Sequence, residues 1–224
     1  MHDRSIVDAR MFYPYYCLFS VFLVHAVAAA AGIDVTPQES YSSSAGVLGC
    51  KINTNRVAYW PSAVSCDDLC VRVSYAGRNV SLLRIDTSAS AYDISYDAWN
   101  YLFTGYSAAQ EPATGGAISA TYENVTMDDC LDLLDSGRLP LSAANGMRYL
   151  GSCLGASNSW LANNYVLYNI LNQPCTYGVD EVCTLNWPES NQPVCSSGLG
   201  NNSPLYADPV HNIEYGTGKE ILAS

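Results

Sequence analysis

Nine cysteines constrain this chain more than any other feature, because an odd number cannot all pair within one molecule. The N-terminus resolves the imbalance. Arg4 and Arg10 precede an apolar stretch over residues 16–31 (YCLFSVFLVHAVAAAA), and the small residues 28–32 offer a processing site of the Ala-x-Ala kind. At about 15 residues the stretch is shorter than the roughly 20 that a spanning helix needs, and His25 interrupts it. Residues 1–31 therefore read as a secretory signal peptide rather than an anchor. Their removal discards Cys17 and leaves an even set: Cys50, Cys66, Cys70, Cys130, Cys153, Cys175, Cys183 and Cys195. Thiols that pass through an oxidising compartment end as disulfides, so four bridges are expected, with their connectivity open.

Zinc is the rival use of clustered cysteines. The chain has no Cys-x2-Cys pair, Cys66 and Cys70 lie four apart, and only His211 follows the signal peptide. No metal and no other cofactor is expected. Ten Lys plus Arg against twenty-one Asp plus Glu give a charge of -11, which argues against nucleic acid and anionic lipid as partners. The signal peptide carries Asp3, Arg4, Asp8 and Arg10, so its removal leaves that charge unchanged. A secreted monomer with no membrane association after cleavage is the expectation. Asn79, Asn124 and Asn201 head Asn-x-Ser/Thr triplets, which predict exposed, glycosylated positions.

Residues 32–48 (GIDVTPQESYSSSAGVL) are Ser-rich with little periodicity and read as a flexible leader. Residues 49–130 have a strand-like pattern, and residues 131–224 read as a helical, Cys-rich extension. Val71, Val73 and Tyr75 alternate with polar residues, a turn follows at residues 76–79, and residues 80–85 (VSLLRI) return as a second strand. Residues 56–60 (RVAYW) and 117–125 (AISATYENV) are further strands. Between them, Ser95 is placed to start a short helix that buries Ala98, Trp99 and Leu102 and carries Asp97 in its first turn. In the extension, residues 127–134, 141–154 and 160–171 predict three helices, with Pro140 and Ser142 as start signals. Trp160, Leu161, Tyr165, Tyr168 and Leu171 would form one buried helical stripe. Tyr177 and Trp187 are candidate surface contacts.

Four pieces of the sequence resemble the barwin-like and expansin-like (RlpA-like) double-psi β-barrel of secreted fungal proteins. Cys66-Asp-Asp-Leu-Cys70-Val-Arg-Val is similar to the opening of the barwin hairpin with one residue added. Leu83-Arg-Ile-Asp86 resembles the strand ending in Val-x-Asp. Tyr92-Asp93-Ile-Ser-Tyr-Asp-Ala98-Trp99 resembles the Phe-Asp-Leu-Ser segment that opens a short helix. Residues 116–130 (GAISATYENVTMDDC) resemble the closing strand. The resemblance covers roughly a third of the chain. It implies a mainly β fold: a six-stranded double-psi β-barrel over residues 49–130, followed by the disulfide-stapled helical extension.

The same resemblance implies a polysaccharide groove around Tyr59, Trp60, Tyr92 and Asp93, with Asp93 in the position of the general acid of hydrolytic relatives. Inverting hydrolysis needs a second carboxylate roughly 6.5–9.5 Å away. Where those relatives place it, after Tyr59-Trp60, this chain has Pro61. Asp86 and Asp97 remain as substitutes. The expected function is therefore a secreted, non-catalytic binder of cell-wall polysaccharide or of a host surface protein, as effector-type expansin-like proteins are. A glycan-cleaving enzyme using Asp93 and a protein-binding surface protein with a vestigial groove are the alternatives.

Overall fold

The computed structural model describes residues 30–223. Most of the signal-peptide reading, Cys17 included, lies outside the described residues. Six strands close into a barrel: β1 (Ala31–Gln38), β2 (Val57–Trp60), β3 (Cys70–Tyr75), β4 (Arg78–Thr87), β5 (Tyr92–Ser95) and β6 (Ile118–Val125). Their order around the barrel is β1-β5-β2-β4-β3-β6. The neighbours β1/β5 and β2/β4 run parallel and all other neighbours antiparallel. The fold is mainly β, with the expected six strands closed into a barrel. Its β3–β4 hairpin turns through Ala76 and Gly77, with φ of 49° and 80°. Two consecutive left-handed residues match the right-handed twist of the flanking strands.

Strand β2 buries both faces. In β2, Ala58 and Trp60 join Val35, Val71, Val73, Leu82 and Ile94 in one apolar cluster, the barrel's inner face. Val57 and Tyr59 alternate with them and belong to a second cluster that holds Leu83, Ile85, Leu139, Leu141 and Leu150. A strand covered on both sides reads as an unbroken apolar run, which is why Val-Ala-Tyr-Trp lacks alternation. Helix α1 (Tyr96–Thr104) follows β5 and buries Ala98, Trp99 and Leu102 completely. Ser95 stands at its N-cap position, but its hydroxyl donates to the Asn55 carbonyl at 2.7 Å instead of capping the helix.

Two boundaries depart from the sequence reading. Residues 32–48 are not a flexible leader. Their first part is strand β1, hydrogen-bonded on both sides, with Val35 fully buried. The alternation of Ile33 and Val35 with polar residues is too short to stand out in a Ser-rich stretch. The barrel consequently begins at Ala31, not at residue 49. The rest of the stretch packs inward through Tyr41, Ala45, Val47 and Leu48.

The extension is also less helical than its spacing suggests. Residues 127–133 form two 3-10 turns (Met127–Asp129 and Leu131–Leu133) on either side of Cys130, whose disulfide to Cys70 ties this segment to β3. Ser142 and Pro140 lie in a strand, β7 (Leu139–Ser142), and helix α2 (Met147–Leu154) starts later. Helix α3 (Trp160–Asn163) lasts one turn before β8 (Tyr165–Ile170). Tyr-Val-Leu-Tyr-Asn-Ile is rich in aromatic and β-branched residues, and that propensity together with pairing on both sides overrides the helix-like spacing. Strand β9 (Gly178–Cys183) completes a sheet of order β7-β8-β9. Strands β10 (His211–Ile213) and β11 (Glu220–Leu222) form a separate two-stranded sheet.

All eight cysteines pair: Cys50–Cys175, Cys66–Cys153, Cys70–Cys130 and Cys183–Cys195. Four fall before residue 131 and four after it, a division that suggests two separately stapled halves. The bridges do not respect it. Cys50–Cys175 and Cys66–Cys153 join the barrel's loops to the extension. The C-terminal segment returns to the barrel as well: the Asn212 carboxamide oxygen accepts from the Tyr41 amide at 3.0 Å, and the Tyr215 hydroxyl donates to the Gly115 carbonyl at 2.6 Å.

Candidate functional site

The predicted groove residues come together, but Tyr59 and Trp60 are covered. Tyr59 is in register with Asp86 on β4 and with Asp93 on β5, and Asp93 is in turn in register with Thr36 on β1. The four residues thus form one row across β4, β2, β5 and β1. At the centre of the row Tyr59 is only 4% exposed. Burial pushes its hydroxyl well above the ordinary tyrosine range, and the nearby Asp86 and Asp93 carboxylates push in the same direction. Tyr41 lies in the same environment and is raised by burial and then by Tyr59 and Asp86, while its hydroxyl donates to the Val47 carbonyl at 2.9 Å. The cavity bounded by Tyr41, Tyr59, Tyr96, Asp97 and Asn212 measures about 10 Å3, room for about one water.

The carboxylates of the row differ in how far they are committed. Asp86 accepts from the Ser42 hydroxyl at 2.5 Å, the Ser44 amide at 2.8 Å and the Thr87 amide at 2.7 Å. The bonds from Ser42 and Ser44 fasten the segment after β1 onto the end of β4. Asp97 is buried, pairs with Arg56 at 2.6 Å and accepts from the Ala108 amide at 2.7 Å. It holds the loop after α1 against the helix's first turn. Asp93 is half-buried and accepts from the Thr36 hydroxyl.

Trp60 does not offer a stacking face. It is 2% exposed, with edge-on contacts to Tyr92 and Tyr122 at ring separations of 5.3 and 4.6 Å, and the Arg84 guanidinium lies 5.4 Å from its ring. Arg84 is fixed in turn by the Ser62 hydroxyl at 2.7 Å and the Ala63 carbonyl at 2.6 Å. Tyr59 and Trp60 are packing residues. Tyr92 and Asp93 are the two members of the predicted groove with partial exposure.

Exposed aromatic surface lies elsewhere. Tyr177 and Tyr206 are 50% and 83% exposed and line a groove of about 450 Å3 with Thr176, Pro204, Leu205, Pro209, Leu222 and Ala223. Tyr177 was legible as a surface candidate. Tyr206 was not singled out, although it lies in a short stretch bounded by Pro204 and Pro209, a loop signal in the sequence. Trp187 is partly exposed on the loop closed by Cys183–Cys195. Among the glycosylation candidates, Asn79 and Asn124 are exposed on β4 and β6, while Asn201 is half-buried and its side-chain oxygen accepts from the amide and hydroxyl of Ser203.

No family model matches the sequence, and no curated protein matches it. Two solved structures are similar over the same share of the chain. A crystal structure of cerato-platanin 3 from M. perniciosa has 14% identity and a TM-score of 0.34, covering 45% of this chain and 98% of that one. The solution structure of the fungal elicitor cerato-platanin has 14% identity and a TM-score of 0.33, with the same coverage. Each match leaves more than half of the present chain uncovered.

Proposed function

We propose that the protein is a secreted, non-catalytic binding protein that holds neutral cell-wall glycan at the extracellular surface. The observation that carries this reading is the commitment of Asp86. Two of its three hydrogen bonds come from the segment it anchors and the third from the neighbouring Thr87 amide, and Asp97 is likewise taken up by Arg56 and the Ala108 amide. The two substitutes for the base that Pro61 displaces therefore serve the fold, and Asp93 stands without either of them as a water-activating partner. Secretion is supported by the four disulfides, which need an oxidising compartment to form and persist. A net charge of -11 favours a neutral ligand or a basic protein surface over any polyanion.

The test of the catalytic alternative is release of soluble reducing sugar from cellulose, chitin and β-glucan. The proposed function predicts none above a blank. Release that disappears in Asp93→Ala would establish a glycanase and overturn the reading.

A further inference from the structure

The apolar groove in the extension has no counterpart in the site expected on the barrel. We infer that the Tyr177–Tyr206 groove is a carbohydrate-binding site that takes the pyranose rings of a neutral glycan. This rests on the proposed function and moves its point of contact from the barrel face to the extension. Three observations select that occupant.

The first is charge. Among the described residues, Asp, Glu, Lys, Arg and His are all missing from the groove's lining, although the chain carries twenty-one acidic residues. An ionic ligand would find no counter-charge there, and an acidic one would be repelled by the protein as a whole.

The second is the state of the backbone. Tyr177 pairs with Pro204 in an antiparallel bridge, the Gly178 amide donates to the Ser203 carbonyl at 2.8 Å, and the Leu205 amide donates to the Thr176 carbonyl at 2.8 Å. The Asn172 side-chain oxygen accepts from the Thr176 and Tyr177 amides at 2.9 and 3.2 Å. An extended peptide that adds a strand needs unpaired amides and carbonyls along an edge. The backbone beside Tyr177 is thus already used, and on that side the groove meets its ligand through side-chain faces.

The third is the kind of face presented. Tyrosine joins a flat apolar ring to a hydroxyl that remains in water. A pyranose has the matching form, an apolar face of C–H groups rimmed by hydroxyls. Tyr177 stands on backbone held by the Asn172 clamp, so little backbone order has to be gained there on binding. The volume falls in the range of small-ligand sites, roughly 300–1,000 Å3.

Retention on microcrystalline cellulose, chitin and insoluble β-1,3-glucan tests the inference, with Tyr177→Ala, Tyr206→Ala, the double variant and Tyr206→Phe measured beside the wild type. Both side chains are exposed, so the variants should keep the wild-type Tm, and Tyr206→Phe should keep most of the retention. Each alanine should weaken binding to the retaining polymer by about tenfold. Wild-type retention that the double variant leaves unchanged would overturn the groove and spare the proposed function. Loss of retention in Asp93→Ala with none in the double variant would place the contact on the barrel. Failure of the wild type on every polymer would overturn both readings. Tyrosine-dependent capture of a proline-rich peptide, with no glycan bound, would replace the glycan by a protein ligand.

Discussion

The hydroxyl of Thr36 on β1 donates a hydrogen bond to the carboxylate of Asp93 on β5. The residue that a catalytic reading would make a general acid is thus also a clasp between two parallel strands. Removing either partner should cost about 1.5–3 kcal/mol, the usual net worth of a hydrogen bond to a charged group. Thr36→Val and Asp93→Ala should each lower stability in urea by that amount, and the double variant should fall well short of their sum. Strict additivity would mean that the two side chains act independently.

A larger effect is expected at Asp97. It is buried, and its partner Arg56 keeps only a quarter of its side chain exposed. Arg56→Met would strand a buried carboxylate, a change that costs about 3 kcal/mol or more. Asp97→Asn should cost less, because an amide can still accept from Ala108 and is not a charge in need of a partner. The order of the two unfolding midpoints checks this.

The disulfides should also rank. In the chain-entropy account, a bridge stabilises more as the loop it closes grows. Cys50–Cys175 spans 125 residues and Cys183–Cys195 spans 12, which gives about 5 and about 3 kcal/mol respectively. Paired Cys→Ser variants should therefore lose more stability at the first bridge. Loss of Cys66–Cys153 should in addition free α2 from the barrel loops, which amide hydrogen exchange would detect as lost protection in residues 147–154.

Stability should fall at both ends of the pH scale, for different reasons. The Ser197 amide and then the Asn169 carboxamide hold the Glu181 carboxyl below its ordinary value of 4.5. The folded form thus binds this proton less readily than the unfolded chain. The contribution is present above about pH 4.5 and is lost as the pH drops through the lower folded value. Tyr41 and Tyr59 are raised above 10.0. Their contribution is complete below pH 10.0 and is lost as the pH rises beyond it toward the folded values. Phenolate absorbance from these two residues should emerge only with alkaline unfolding. A titration in which every tyrosine ionises before the fold opens would contradict their burial.

The parts of the fold that were legible in the sequence are those whose local and tertiary signals agree. The β3–β4 hairpin follows from alternation around Ala76-Gly77, and α1 follows from the spacing of Ala98, Trp99 and Leu102. Strand β1 was illegible because its partners lie 57 and more residues away in β5 and β6, and nothing in a Ser-rich segment announces such pairing. In β8 the steps between Leu161, Tyr165 and Tyr168 fit a helix as well as a strand, and contact with β7 and β9 decides. The candidate site divides in the same way. The types of Tyr59, Trp60, Tyr92 and Asp93 suggest a groove, yet Tyr59 is covered by Tyr41 and the segment around Asn212, and Trp60 faces the barrel interior. Tyr59 and Trp60 became core, while Tyr206 became the most exposed aromatic among the described residues.

The most direct measurement of the central claim is a depletion assay on washed cellulose, chitin and β-glucan in which retained protein and released sugar are read from the same tube. The account predicts saturable retention on at least one of these neutral polymers, reversed by soluble oligosaccharide of the same linkage, with no sugar released. No retention on any of them, or retention accompanied by release that Asp93→Ala abolishes, would contradict it.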